Sequence, residues 1–275
     1  MYMNVNGVRY AVYVSGRGQP LVMLHGFSGS SADWSPFVSS FAQHFRVITL
    51  DMLGHGETDS PTDPMRCTVK HIRRDLTSIV EDLCDQPAHL LGYSMGGRMA
   101  LILALHHGEL FRSLILESAS PGIALEEERI DRKERDDNLA ERIEQLGMEA
   151  FVEEWEALPL WDTQRTLPTE TLQRQREIRL SNNPVGLANS LRGYGAGAQP
   201  SEWDNLYTLD MPVLLITGAL DAKFTHIARQ MAAQIPYANQ VIVPQVGHNV
   251  HLENPRAYAH HVLEFLQGLA QMNAP

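Results

Sequence analysis

The stretch Leu90-Leu91-Gly92-Tyr93-Ser94-Met95-Gly96-Gly97-Arg98 decides how the chain folds. An apolar run leads into the pattern Gly-x-Ser-x-Gly, and the apolar residues 99–105 follow it directly. This order predicts a strand, a sharp turn and a helix, which is the setting of a serine nucleophile. Gly92 and Gly96 lack Cβ atoms, so strand and helix can approach closely while Ser94 takes a strained conformation at the tip. The alternative is a glycine-rich turn without chemistry, and the rest of the chain must decide between the two.

Bulk composition narrows the class of protein. The chain has 275 residues, of which 44% are hydrophobic, enough for one α/β domain with an insertion or for two small domains. Its net charge of −11 argues against nucleic acid and anionic membranes as partners, and an anionic substrate would need a local basic pocket. Residues 1–7 do not resemble a secretory signal, and no apolar run approaches the roughly 20 residues of a membrane helix. Cys67 and Cys84 are too few for a disulfide framework, so we expect a cytoplasmic protein, and its oligomeric state stays open.

Strands alternate with helices on both sides of the glycine-rich stretch. Apolar runs predict strands over residues 8–14, 20–24, 45–51, 88–91, 111–117, 212–217 and 240–243. Amphipathic patterns predict helices over residues 68–83 and 255–269. This alternation predicts parallel βαβ units, and hence an α/β protein with a mostly parallel central sheet flanked by helices.

The character of the sequence changes at residue 121. Charged helical patterns replace strands, with helices predicted over residues 126–145, 148–157, 169–180 and 184–192. We therefore expect a helical lid inserted between the two halves of the sheet. The expected division is a first core part over 1–120, a lid over 121–205 and a second core part over 206–275.

A serine hydroxyl needs an imidazole base to react, and His248 is the first candidate. It follows the strand over 240–243 in a Gly-His pair, at the edge where sites collect in open α/β sheets. His251 lies three residues further on and is the fallback, although it also suits the start of the last helix. The predicted base is therefore His248.

The imidazole in turn needs an acid, and Asp221 stands just beyond the strand over 212–217. Its alternative role is to cap a helix, which is common for aspartate. Glu117, at the end of an earlier strand, is the competing acid. The order Ser94, Asp221, His248 matches the arrangement of the α/β-hydrolase fold, which we therefore expect here.

A second loop leaves the sheet at the same edge, with the sequence His25-Gly26-Phe27-Ser28-Gly29-Ser30. The backbone N–H of Phe27 can point into the space above Ser94. Together with the N–H of Met95 it would form an oxyanion hole. The alternative is a loop that only shapes the turn.

Basic residues near the predicted site favour an anionic ligand. Arg98 lies in the first turn of the helix after Ser94, where a cation is unfavourable, so either an anionic ligand or a salt bridge must compensate. Arg129, Arg132 and Arg135 recur at intervals of three residues among many acids. For Arg129 and Arg135 we prefer a solvated helix face with ion pairs.

Segments along nearly the whole chain resemble those of one enzyme family. They include Gly-Gly-Arg after the serine and several lid motifs, at residues 24–30, 92–98, 118–122, 128–132, 179–183, 195–200, 221–224 and 247–249. The sequence resembles the 2-succinyl-6-hydroxy-2,4-cyclohexadiene-1-carboxylate synthase family of menaquinone biosynthesis (the MenH family). The serine motif occurs in proteins with many unrelated activities, whereas the Gly-Gly-Arg and lid segments are specific to far fewer families.

The resemblance implies a lyase. Its reaction is elimination of pyruvate from 2-succinyl-5-enolpyruvyl-6-hydroxy-3-cyclohexene-1-carboxylate. Ser94, activated by His248 and oriented by Asp221, would remove a ring proton. The N–H groups of Phe27 and Met95 would meet the oxyanion that forms on the succinyl carbonyl.

The resemblance also implies a set of substrate-binding residues, namely Tyr93, Arg98, Arg132, Trp155 and Arg179. Arg129 and Arg132 compete for one position in this set, and Pro184 departs from the family pattern in a way that affects how Arg179 points. The implied substrate is a small molecule with three carboxylates, and arginines suit planar anions of this kind.

The fold leaves the reaction open, because one activated serine can attack an acyl carbon or abstract a proton. The main alternative is a carboxylesterase or C–C bond hydrolase with Ser94 as nucleophile. A binding protein with a vestigial triad is another. The sequence has no zinc-site spacing, no phosphate-binding Gly-x-x-x-x-Gly-Lys loop and no dinucleotide fingerprint, so no metal, nucleotide or flavin is expected.

Overall fold

An eight-stranded sheet organises residues 1–272, the part of the chain that this computed structural model describes. In chain order its strands are β1 (Tyr2–Val5), β2 (Val8–Ser15), β3 (Pro20–Leu24), β4 (Arg46–Leu50), β5 (Ala88–Tyr93), β6 (Phe111–Glu117), β7 (Val213–Gly218) and β8 (Ala238–Val243). They lie side by side in the order β1-β2-β4-β3-β5-β6-β7-β8. The pairs β1–β2 and β2–β4 are antiparallel, and the other five pairs are parallel. The prediction of a mostly parallel sheet is confirmed.

Helices cover both faces of the sheet and follow the strands along the chain. They are α1 (Ser35–Phe41), α2 (Val69–Leu83), α3 (Met95–His106), α4 (Glu126–Glu156), α5 (Thr169–Leu180), α6 (Pro184–Tyr194), α7 (Ala222–Ala232), α8 (Val250–Glu253) and α9 (Pro255–Met272). Side chains alternate across β3, so Val22 and Leu24 pack with α2, α3 and α7. Leu21 and Met23 pack with α1 and α9 on the opposite face. Burial on both faces explains why the central strands are continuous apolar runs.

Helices α4, α5 and α6 lie between β6 and β7 in the chain, and the described residues of this interval contain no strand. They have a small apolar cluster of their own, formed by Ala140, Ile143, Phe151, Val152, Leu187, Ala188 and Leu191. α4 is interrupted at Gly147, whose φ of +79° is outside the helical region. The sequence predicted two separate helices here, one before this residue (126–145) and one after it (148–157). The boundaries of a lid at 121 and 205 stay a prediction.

The sequence did not predict β1, α1 or α7. In β1 only Val5 is buried, so this edge strand lacks the alternation that marks a strand in sequence. α1 is a short helix whose buried side chains are Phe37 and Phe41, too few for a period to emerge. No helix within residues 1–272 combines the length and the apolar character needed to cross a membrane.

Candidate active site

The turn between β5 and α3 holds Ser94 in a backbone conformation that L-residues rarely adopt, with φ of +49° and ψ of −108°. The two flanking glycines allow this turn. A Cβ on Gly92 would lie 2.5 Å from the carbonyl oxygen of Gly96, and a Cβ on Gly96 would lie 2.4 Å from that of Leu24. Larger residues at either position would push strand and helix apart. The backbone therefore presents the Ser94 side chain at the end of the sheet.

Ser94, His248 and Asp221 form a hydrogen-bonded row. His248 Nε2 lies 3.1 Å from Ser94 Oγ, and His248 Nδ1 lies 2.6 Å from Asp221 Oδ2. Because the carboxylate can only accept, Nδ1–H donates to it and Nε2 is free to accept the serine proton. Asp221 Oδ1 also accepts the N–H of Phe224 at 3.1 Å, which caps α7. The two roles weighed for Asp221 coexist in one side chain.

Aromatic rings surround the imidazole of His248. The ring centroid of Phe224 lies 4.5 Å from that of His248, and those of Tyr93 and Trp161 lie at 5.6 and 5.9 Å. The imidazole is buried, with 3% of its residue surface exposed. This packing restricts rotation of the ring and keeps its two nitrogens directed at their partners.

The fallback histidine and the competing acid pair with each other instead. Glu117, at the end of β6, lies with Oε2 2.8 Å from His251 Nδ1, and its Oε1 accepts the backbone N–H of His251 at 3.0 Å. Both side chains are buried. Neither residue borders the cavity described below. Glu117 therefore orients His251 and not His248.

The loop after β3 is fixed by His25. Its Nδ1 lies 2.7 Å from the carbonyl oxygen of Gly26, and its Nε2 accepts the N–H of Met52 at 2.9 Å. Phe27, two residues after His25, borders the same cavity as Ser94, and so does Met95. The predicted oxyanion-hole residues thus lie beside the serine, and their role as N–H donors stays a prediction.

A cavity of about 1340 Å³ opens above the serine. The Ser94–His248–Asp221 row forms part of its floor, and residues of α4, α6 and α7 form its walls. Four cationic side chains border it, namely Arg98, Arg132, Arg135 and Lys223. Four carboxylates border it as well, those of Glu128, Asp131, Asp136 and Asp221. Positive charge for an anionic small molecule therefore comes from individual side chains such as Arg98, which forms no ion pair with a carboxylate in the described part of the chain, and not from an excess of cations.

Arg98 and Arg132 have different partners. Arg98 Nη1 donates to Gln199 Oε1 at 2.7 Å and to the carbonyl oxygen of Tyr194 at 3.2 Å. Arg132 Nε forms an ion pair with Asp136 Oδ1 at 2.8 Å. Burial, and then the nearby charge of Arg132, lower the pKa of Arg98 to about 10. The salt bridge considered for Arg98 is not present within residues 1–272. The two oxygens that accept from Arg98 belong to neutral groups, a side-chain amide and a backbone carbonyl.

Comparison with known proteins gives the family. The family model of the α/β hydrolase fold matches residues 19–255. A protein of Bacillus subtilis, provisionally named as a 2-succinyl-6-hydroxy-2,4-cyclohexadiene-1-carboxylate synthase, is 42% identical over 96% of this chain and 97% of its own length. A Photorhabdus laumondii protein with the same synthase name is 33% identical over 90% of this chain and 84% of its own. The structure of MenH from S. aureus, at 37% identity, covers 94% of this chain and 98% of its own, with a TM-score of 0.90.

The chain belongs to the 2-succinyl-6-hydroxy-2,4-cyclohexadiene-1-carboxylate synthase family. Both the resemblance noted in the sequence and the α/β-hydrolase fold are thereby confirmed. The fold is shared more widely. An esterase from Thermogutta terrifontis is 26% identical, covers 98% of both chains and has a TM-score of 0.85. Assignment to the synthase family therefore rests on the relatives with the synthase name and not on the fold.

The other substrate-binding residues implied by the synthase family lie in different surroundings. Trp155 borders the cavity and packs on Phe27, with ring centroids 5.3 Å apart. Tyr93 also borders it, and burial raises the pKa of its hydroxyl well above the ordinary value. Arg179 is buried behind the cavity wall, where its Nη1 pairs with Glu156 Oε1 at 2.9 Å. A direct contact between Arg179 and substrate stays a prediction.

Among the side chains that border the cavity, sequence reasoning missed Arg135, Lys223 and Trp161. Arg135 was assigned to a solvated face, but it is among the lining residues although it is exposed. Lys223 and Trp161 were not considered as site residues. The available signal for Lys223 was its place two residues after Asp221, at a strand exit. Trp161 had no local signal, because it reaches His248 only through the folding of the segment between β6 and β7.

A group with metal-ligand chemistry lies elsewhere, on α9. Candidate ligand atoms of His260, His261 and Glu264 all lie within 4.8 Å of one another. Two of these side chains are exposed, and none of the three borders the cavity. This group therefore has no part in the chemistry at Ser94.

Proposed function

We propose that this chain eliminates pyruvate from 2-succinyl-5-enolpyruvyl-6-hydroxy-3-cyclohexene-1-carboxylate and releases 2-succinyl-6-hydroxy-2,4-cyclohexadiene-1-carboxylate. One observation carries the proposal. The hydrogen-bonded row Ser94–His248–Asp221 opens into a cavity that Arg98 and Arg132 also border. A serine made basic by an imidazole, facing guanidinium groups, suits proton abstraction from a substrate with several carboxylates.

The first step is removal of the ring proton next to the succinyl carbonyl. His248 Nε2 accepts the proton of Ser94 Oγ as this oxygen takes the ring proton. The C–H electron pair moves onto the carbonyl oxygen, which becomes an enolate. Asp221 stabilises the imidazolium that forms and holds its tautomer.

The second step breaks a C–O bond. The N–H groups of Phe27 and Met95 are proposed to stabilise the enolate oxygen until its electron pair returns. That pair shifts the ring double bond and expels the enolpyruvyl oxygen from the ring. The leaving group is the enolate of pyruvate, which becomes pyruvate by taking up the proton held by Ser94 and His248.

The substrate carboxylates are proposed to bind on the cavity walls. Arg98 and Arg132 are the proposed cationic contacts, with Tyr93 and Trp155 as neighbouring walls and Arg179 as a further cation. Residues 121–205 are proposed to act as the lid, and we expect the enzyme to work in the cytoplasm on a small-molecule polycarboxylate. Losing one charged hydrogen bond of this kind costs about 1.5–3 kcal/mol.

The test is release of pyruvate, followed by its reduction with lactate dehydrogenase and NADH. We expect rapid release by the wild type and a loss of about 10²–10⁴-fold in kcat for Ser94→Ala and for His248→Ala. Ser39→Ala and His260→Ala, which are exposed on α1 and α9, are matched controls that should keep full activity. Wild-type protein without pyruvate release would overturn the proposal.

A carboxylesterase is the second candidate, because the same hydrogen bond between Ser94 and His248 serves attack on an acyl carbon. A panel of simple aryl esters separates the two reactions. Rapid turnover of these esters with a burst of phenol release, and no pyruvate release, would favour the esterase.

A further inference from the structure

Gln199 lies on the segment after α6 and contacts Arg98 from behind the cavity wall. Its side chain is fully buried, with 0% of the residue surface exposed. Gln199 Oε1 accepts from Arg98 Nη1 at 2.7 Å, and the carbonyl oxygen of Tyr194 accepts from the same nitrogen at 3.2 Å. Gln199 Nε2 has no hydrogen-bond partner within residues 1–272. Gln199 therefore contacts its neighbours through its acceptor atom, Oε1, and not through its amide nitrogen.

Arginines of the lid differ from Arg98 in their partners. Six of them form ion pairs with carboxylates, in the pairs Arg132–Asp136, Arg142–Glu154, Arg165–Asp162, Arg176–Glu156, Arg179–Glu156 and Arg192–Glu144. The carboxylate of Asp136, whose charge acts on Arg98, is already bound by Arg132 Nε and by the N–H of Gly197. Guanidinium groups removed from water are usually paired with an acid. A glutamine contacts Arg98 where a glutamate would have the same size.

We propose that Gln199 is a positioning residue that fixes Arg98 through a neutral acceptor and so leaves its positive charge available to a substrate carboxylate. This inference rests on the proposed function and names a residue that sets the affinity of its site for anions. Gln199 does not border the cavity, so it acts through Arg98 and not on the substrate.

The electrostatics of the cavity explain why the neutral acceptor matters. Burial and the charge of Arg132 lower the pKa of Arg98 to about 10, so Arg98 stays charged at neutral pH. The guanidinium groups of Arg98 and Arg132 repel each other, and the carboxylate of Asp136 offsets only part of this effect on Arg98. A bound carboxylate relieves the rest. A carboxylate at position 199 would relieve it without any ligand. The substrate would then have to compete with a permanent internal ion pair.

Gln199→Glu tests the proposal, because it keeps the size and the acceptor but adds a charge. We expect KM for the substrate to rise about 10- to 100-fold, as for the loss of one charged hydrogen bond, while kcat stays within about 3-fold. A purely structural role of Gln199 predicts an unchanged KM in Gln199→Glu, because the hydrogen bond to Arg98 is retained. An unchanged KM in folded Gln199→Glu would overturn the proposal. Gln267→Glu, exposed on α9, adds the same charge away from the cavity and should leave KM unchanged.

A double-mutant cycle keeps the test valid if Gln199→Glu does not fold. Gln199→Met removes the acceptor without adding a charge, and Arg98→Met removes the guanidinium. We expect Gln199→Met to raise KM about 10-fold when Arg98 is present and to have no effect when Arg98→Met is also present. An equal rise in both backgrounds would show that Gln199 acts independently of Arg98 and would overturn the proposal.

Failure of the proposed function is recognisable separately, as wild-type protein without pyruvate release. The inference about Gln199 is then judged by binding of 4-oxo-4-phenylbutanoate, which carries a succinyl group on a six-membered ring. Quenching of tryptophan fluorescence reports this binding, because Trp155 borders the cavity. Dissociation constants at least 10-fold weaker for Gln199→Glu than for wild type would support it, by the cost of one charged hydrogen bond. Equal constants would overturn it.

Discussion

Two acid–histidine pairs lie at the same end of the sheet, and only one of them reaches the cavity. Asp221 and His248 are joined at 2.6 Å, and Glu117 and His251 are joined at 2.8 Å. All four side chains are buried. His248 Nε2 continues the row to Ser94, whereas His251 lies behind Tyr93, with the two ring centroids 4.8 Å apart.

The difference between the pairs lies in what surrounds them and not in their own geometry. The backbone carbonyl oxygen of Glu117 also accepts the N–H of Ser94 at 2.9 Å. The main chain of Glu117 therefore helps to hold the turn at Ser94 in place. Its carboxylate receives two bonds from one residue, His251, and thereby anchors the short helix α8 to β6. We infer that the Asp221 pair serves the reaction and that the Glu117 pair serves stability.

The largest expected effect that sharpens this comparison is that of Asp221→Asn. Asparagine keeps the size of the side chain and its ability to cap α7, but it removes the charge that stabilises the imidazolium. We expect kcat for pyruvate release to fall about 10²–10⁴-fold, with a thermal midpoint close to that of wild type. Steady-state kinetics and thermal unfolding on the same samples measure both quantities. Activity within a few-fold of wild type would show that the acid lies elsewhere.

Glu117→Gln is expected to have the reverse effect. The amide keeps one acceptor for His251 but loses the charge-assisted bond in a fully buried place. We expect the free energy of unfolding to fall by about 2 kcal/mol, with kcat per folded molecule within about 3-fold of wild type. Denaturant titration and kinetics at saturating substrate test this. A large loss of activity without loss of stability would instead make Glu117 part of the reaction.

Most of the hydrogen-bonded row was predictable because its residues stand at strand exits. Ser94 follows β5, Asp221 follows β7 and His248 follows β8, and parallel strands bring their carboxyl ends to one edge. Glycine spacing around Ser94 is a local signal as well. Spacing alone does not separate His248 from His251, and the prediction of His248 rested on the Gly-His pair that follows the strand over 240–243. In the fold it is the imidazole of His248 that lies within hydrogen-bond distance of Ser94.

The partners of Arg98 and Arg179 were not predictable, because they come from distant parts of the chain. Arg98 meets Gln199 about 100 residues later, and Arg179 meets Glu156 across the turn between α4 and α5. Nothing in the sequence near Arg98 distinguishes a neutral acceptor from a carboxylate. Arg135 was assigned to solvent for a related reason, since helical spacing does not show which face borders a cavity.

His89 provides a buried histidine without an acid, and it yields the smallest expected effect. Its Nδ1 lies 2.7 Å from Ser113 Oγ between β5 and β6, and burial, with the charge of Arg112, lowers its pKa from 6.5 to about 4. The unfolded chain therefore binds this proton more readily than the folded one. Stability from this group is complete above pH 6.5 and is lost as pH falls towards 4.

His89→Asn removes that titration and keeps a side chain able to hydrogen bond to Ser113. Between pH 7 and pH 5.5 we expect wild type to lose about 1 kcal/mol more unfolding free energy than this variant does. Urea titrations at the two pH values measure the difference, and His226→Asn, exposed on α7, is the matched control. Equal losses in wild type and His89→Asn would mean that His89 does not disfavour its proton in the fold.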